Sequence, residues 1–320
     1  MGMANKWYRQ RGVKVALWLA AVVLLVLLLR TFAFTTAYIP SSGMENSLLP
    51  GDRILVNKWS YGLRLPFSSG REETRWGFRQ GERGEIALFH HPAETPSIPL
   101  TERPLYIGRL VGLPGDTLLV DSLFNLHQPA WLAPDCQQLY TYPPAKEPQM
   151  KRLLASQQLT RNRLLASDTA RHIRSFSRYE YYLLEQASAN CNEWLQPLSR
   201  VESDSLLRPL VVPKRGVSVE VTPWNITLLR NTLVLHERRQ ATIDKGELLI
   251  DGKSVKRCTF TQDYYWVGTN NPINLSDSRL FGFVPHSHLI GRATRIWFSQ
   301  QPGQGVFKGY RWNRVNMKVF

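Results

Sequence analysis

Cysteine is scarce: the 320 residues hold three, Cys136, Cys191 and Cys258. That is too few and too scattered for a disulfide scaffold or a metal-binding knuckle. One bridge, Cys136 to Cys191, suits a domain outside the cytoplasm, and unpaired buried thiols are the other reading. Acidic residues are also short, 25 Asp plus Glu against 40 Lys plus Arg, a net charge of +15. Such a balance favours an anionic partner, and membrane lipid is the one expected. No zinc-finger spacing, basic zipper or aromatic RNA-binding signature accompanies the charge, so nucleic acid is not an expected partner. No cofactor or metal is expected either. Charge is missing altogether from Val15 to Leu29 (VALWLAAVVLLVLLL).

The apolar character resumes after Arg30 as far as Phe34, so 15–34 supplies the roughly 20 residues a helix needs to cross a bilayer. Lys6, Arg9, Arg11 and Lys14 precede it without an acidic residue. The positive-inside rule therefore keeps residues 1–14 cytoplasmic and sends the remaining chain across. A cleavable signal peptide is the rival, because the uncharged run is short and the small Ala37 follows it. Arg30, Phe32 and Phe34 make a poor cleavage region, and the anchor is the preferred reading.

Beyond residue 38 the chain punctuates like a β-protein, with short apolar runs divided by Gly, Pro and Asp-Gly turns. Residues 52–58, 84–89 and 104–111 read as strands, and Asp251-Gly252 as a hairpin turn. Glycine is absent between Pro144 and Leu195, where Leu, Gln, Arg, Ala and Ser favour helix. Arg-Leu-Leu-Ala-Ser occurs there twice, at 152–156 and 163–167. The offset of eleven would put both copies on one helix face. The expected organisation is a β domain formed by 38–116 and 210–320, with a partly helical insertion at 117–209.

Four stretches in order carry a family resemblance. They are Ile39 to Asp52 (IPSSGMENSLLPGD) continuing to Gly62, Arg83 to Phe89 with Pro92, Tyr106 to Asp116, and Asp277 to Pro285 with Gly291 to Ala293. Together they resemble the boxes of the type I signal peptidases, or leader peptidases. These are membrane-anchored β-fold serine proteases that remove signal peptides with a Ser nucleophile and a Lys base. The resemblance implies a mainly β, signal-peptidase-type exported domain with a helical insertion, preceded by one transmembrane helix.

Laid residue by residue on that pattern, the chemistry is missing. Pro40 and Ser41 match the first box, Ser42 replaces a glycine, Gly43 stands at the nucleophile, and Met44 and Glu45 match again. Gly108 stands at the base between Tyr106-Ile107 and Arg109. Leu275 takes the place of the serine that orients the lysine, and the segment from Gly268 to Ile273 lacks an Asp and an Arg of the final box. The resemblance gives Ser41 an oxyanion-binding role, assigns Pro40, Met44, Tyr106 and Ile107 to substrate binding, and leaves Asp277 and Arg279 as a structural pair on one strand face. An apolar side chain can fill the volume left at Gly108, and Leu275 is the expected filler.

Substitutes are weak. In extended chain Ser42 would point away from the cleft and Ser41 would share a face with position 43. Arg109 stays charged and cannot serve as a base. His90 and His91 read as a solvated strand end. Three function classes follow. The first is an inactive homologue that binds signal peptides, exported precursors, an active signal peptidase or the secretion machinery. The second is an active enzyme with Ser42 as displaced nucleophile, and the third is a membrane scaffold. The expected location is the bacterial inner membrane, with the main domain periplasmic or otherwise extracytoplasmic.

Overall fold

The computed structural model describes residues 2–64, 75–94, 97–127, 134–159, 162–198, 207–274, 276–305 and 307–319, with backbone alone at 2–12 and 64. A helix over Gly2–Leu28 runs into a π turn, Leu29–Ala33. Residues Val13–Ala33 have mean hydropathy 2.5 and none of their window is buried. The helix is therefore long and apolar enough for a single membrane span and is not packed inside a core. Lys58 donates to the carbonyls of Arg30 and Thr31 at 3.1 and 3.0 Å, which satisfies acceptors left open at the helix end.

The helix leads without a linker into a seven-stranded sheet. Its strands are β1 (Phe34–Tyr38), β2 (Asp52–Asn57), β3 (Ile86–His90), β4 (Leu105–Gly112), β5 (Tyr264–Gly268), β6 (Val284–Pro285) and β7 (Leu289–Ser299). The spatial order is β1-β2-β7-β3-β4-β5-β6, and every pairing is antiparallel. All five residues of β3 are buried. Ile86 and Leu88 enter a cluster with Met44, Leu48 and Ile54, while Ala87 and Phe89 enter another with Tyr61, Leu110 and Val267. Alternation by twos thus serves two cores at once, which is why β3 reads as a continuous apolar run.

The sequence-derived strands at 52–58, 84–89 and 104–111 fall on β2, β3 and β4. The Asp251-Gly252 hairpin forms as read, with φ of 51° and 80° between strands Glu247–Ile250 and Lys253–Val255. Positive φ at both central residues is the two-residue turn that matches strand twist.

The stretch expected to favour helix folds as a sheet with helices on it. Strands Gln137–Tyr142, Leu164–Ser167, His172–Ser177 and Gln196–Pro197 form a four-stranded sheet. Helices Glu147–Ser156 and Arg178–Ala187 contribute Met150, Leu154 and Leu184 to a core with Tyr140, Phe176 and Trp194. A Ser177/Glu180 capping box starts the second helix. Only the first Arg-Leu-Leu-Ala-Ser copy is helical; in the second, Leu164–Ser167 pairs with His172–Ser177. The two copies do not share a helix face, because a neighbouring strand captures the second.

The mouth of this unit is closed by Thr117–Val120 pairing with Arg208–Val211. Leu118, Val120 and Leu210 pack there with Trp266 and Phe283, in the core beneath β5. All three cysteines are buried and none is disulfide-bonded, so the Cys136–Cys191 bridge does not form. Burial pushes the Cys191 and Cys258 thiols up to about 11, which keeps both protonated and unreactive.

Candidate active-site cleft

The segment from Ile39 to Asp52 is a closed loop. Ile39 donates to the Asp52 carbonyl at 2.9 Å and Gly51 to that of Ile39 at 2.8 Å. Ile39, Met44 and Leu48 are buried under β2 and β3 and pin it down. Between them residues 43–47 form consecutive turns, with Glu45 donating to Ser42 and Leu48 to Met44. The backbone is not extended here, so the alternating-face argument for Ser41, Ser42 and position 43 does not apply. Pro40 and Ser41 are exposed and Ser42 is half-buried, and neither hydroxyl bonds a described residue. No base therefore stands on Ser42 among the described residues.

Gly43 is buried, and its carbonyl accepts the amides of Asn270 and Asn271 at 2.9 and 3.0 Å. A Cβ placed on Gly43 would meet the Asn274 side chain at 3.1 Å and the Thr269 methyl at 3.6 Å. Asn274 can yield a few tenths of an ångström, so a small side chain fits.

Gly108 differs. On β4, Leu105 to Gly108 bond β3 on one side, while β5 joins only from Arg109 onward. The other edge of Leu105–Gly108 is free of any described strand. Tyr106 packs on His91, Phe281 and Phe89 at centroid distances of 4.7, 5.9 and 6.4 Å. Ile107 turns to the opposite core. A Cβ on Gly108 would fall 2.3 Å from Cγ1 of Val267 and 3.3 Å from the Gly268 carbonyl. Val267 is fully buried and β-branched, with little rotamer freedom. The space at the base position is filled, and the side chain filling it is Val267; Leu275, the expected filler, lies outside the described residues. The two glycines meet through one segment, Val267 to Asn274, which touches both.

Sequence reasoning missed the polar cluster beside them. The Arg109 guanidinium is 3 % exposed and donates to the Gly84 carbonyl at 2.6 Å, Ser47 Oγ at 2.9 Å and both Asp135 oxygens at 3.1 Å. Asn270, fully buried, accepts from Arg109 Nε and donates to Ser47 Oγ at 2.7 Å and Asp135 at 3.2 Å. The sole advance signal was the charge of Arg109 inside an apolar strand, which demands a carboxylate.

Asp277 and Arg279 form an ion pair at 2.8 Å. They sit at the start of a short helix, Ser278–Phe281, rather than on a strand face. Asp277 caps that helix by accepting from the Arg279 amide, and it also accepts from Thr269. His90 is buried and His91 stacks on Tyr106 and Phe281, so the pair is not a solvated strand end. Burial holds the His91 pKa below its usual value, against the pull of Glu94. A neutral His91 packed against an aromatic wall is consistent with a structural role.

Residues 12–123 match the family described as signal peptidase, peptidase S26. The chain is 26 % identical over 297 residues to the signal peptidase I of Buchnera aphidicola subsp. Baizongia pistaciae, covering 92 % of this chain and 79 % of that one. It is 41 % identical over 97 residues to signal peptidase I of Pseudomonas aeruginosa, covering 30 % and 31 % of the two. Residues 12–123 thus carry the signal peptidase match, and the chain as a whole is similar to signal peptidase I. The similarity to the Pseudomonas protein is high but confined to about a third of the chain, whereas that to the Buchnera protein is lower and nearly end to end. The mostly β fold with its N-terminal apolar helix is consistent with that of signal peptidase I, while the two positions at which the sequence resemblance seats the relay, Gly43 and Gly108, carry no side chain.

Proposed function

We propose that this signal peptidase homologue is catalytically silent and binds signal peptides or exported precursors in the cleft. The observation that carries the reading is the packing of Val267 into the Gly108 site, together with a nucleophile position that has no oxygen. A Ser-Lys relay needs a hydroxyl and a neutral amine within hydrogen-bond reach. Position 43 supplies no hydroxyl and position 108 has no room for an amine. Ser42, the displaced-nucleophile alternative, has no proton acceptor bonded to it among the described residues.

Peptide binding rests on the edge at Leu105–Gly108 that no described strand covers, where a strand can add by main-chain hydrogen bonds. The helix Val13–Ala33 anchors the protein in the bacterial inner membrane, and the basic residues before it keep the N-terminus cytoplasmic. Lipid contact is supported by exposed aromatics close to the anchor in the fold. Phe34 and Tyr38 are exposed on β1, Tyr38 opposite Arg53 of β2, and Trp297 and Trp312 are exposed on and next to β7. An active signal peptidase or the secretion machinery are partners of the same kind, since each presents or handles the same precursors.

The test is photo-crosslinking in detergent, with a photoreactive amino acid in place of exposed Leu105 and a synthetic signal peptide ending in Ala-x-Ala. The expected result is an adduct competed by unlabelled peptide, with the peptide uncut. No adduct from a folded protein would shift the reading to a membrane scaffold.

A further inference from the structure

The segment Gly268 to Ile273, which pairs beside Arg109, has no acidic residue, and a carboxylate that meets that guanidinium comes from elsewhere: Asp135, outside residues 12–123 matched by the family model. Asp135 stands at the entrance of the inserted sheet, two residues before strand Gln137–Tyr142. Its side chain accepts from Arg109, Asn270 and Ser47. Its carbonyl accepts from the Asn46 side chain at 3.1 Å. The next two residues hold the same loop, Cys136 Sγ on Asn270 Oδ1 at 3.4 Å and the Gln137 amide on the Asn270 carbonyl at 2.7 Å. Asn270 in turn bonds the Glu45 carbonyl and, through its amide, that of Gly43.

We propose that Asp135 is the positioning residue of the cleft: the insertion supplies the charge that holds turn 43–47 against β4 and the Asn270 loop. The cleft is then complete only when the insertion is docked, and whatever displaces the insertion opens the turn. This rests on the cleft being the peptide site, but its structural part is separable from that reading. The physics is that of a buried guanidinium whose donors are satisfied from four segments at once. Removing the carboxylate takes away the insertion's charge on that guanidinium and on the Asn270 loop, and the loosest segment, a turn with Asn46 at positive φ, gives way first.

The experiment is hydrogen exchange on the full-length protein in detergent, comparing native chain, Asp135→Asn and Ser47→Ala. In Asp135→Asn the amides of Leu48, Asn270 and Asn271 are expected to exchange about tenfold faster or more, while those of β3 and strand His172–Ser177 hold their rates. Ser47→Ala leaves the ion pair in place and should loosen the same amides to a smaller degree, which serves if Asp135→Asn fails to fold. The adduct at position 105 should fall in parallel. Unchanged exchange at those three amides in both variants, or equal loosening everywhere, overturns the proposal. Selective loosening with no native adduct supports it and sinks the peptide reading alone.

Discussion

Restoring only the three missing groups, Gly43→Ser with Gly108→Lys and Leu275→Ser, leaves the protein unable to cut a secretory precursor, and adding Val267→Ala brings cleavage back. The first half follows from Val267 Cγ1, 2.3 Å from where a lysine Cβ must sit. Overlap of that size in a close-packed interior forces backbone shifts or an off-rotamer valine, and either moves the amine out of line with the serine. A displacement of about 1 Å costs on the order of a hundredfold in rate. Trimming Val267 removes the obstacle, and the apolar walls of Phe89 and Phe281 then surround the amine. Such surroundings lower a lysine pKa toward the range a general base needs. A positioned base contributes about a hundredfold or more, so the gain of the four-fold variant over the three-fold one is readable by gel. Equal silence of both variants, each shown to be folded, would contradict the steric account and place the loss elsewhere in the cleft.

The same contact gives a large effect on stability without any catalysis. Gly108→Ala is expected to destabilise the fold by about 1–3 kcal/mol, since one methyl must enter a filled site. Val267→Ala alone should cost about 2 kcal/mol, because it opens a cavity between β4 and β5. Combined, the new methyl occupies the space of the lost one. The double variant should then be more stable than the sum of the two predicts, by about 1 kcal/mol or more. Urea unfolding of the purified protein measures this, provided the slope is unchanged between variants. Strict additivity would mean that positions 108 and 267 do not share the site.

Much of this architecture can be read from the residues. The uncharged run, the basic flank and the Asp251-Gly252 turn each have a local cause, and β2, β3 and β4 announce themselves by apolar runs between turn residues. The insertion is less legible, because Leu164 to Ser167 has the composition of a helix and becomes a strand only by pairing with His172 to Arg174, five to ten residues further on. The turn around Gly43 reads as extended from its own residues, since its shape depends on Asn270 and Asn271 bonding the Gly43 carbonyl across more than two hundred residues of sequence. Asp135 and Val267 illustrate the general limit. Nothing local to either marks it, and each acquires its part from a strand register or a loop docking that only the folded chain sets.

Incubating the purified full-length protein with an Ala-x-Ala precursor in detergent, and following the precursor by intact mass over many hours, tests the central claim most directly. The account predicts precursor of unchanged mass and protein of unchanged mass. Appearance of the mature product, or of protein carrying the leader as an ester on Ser41 or Ser42, would contradict it.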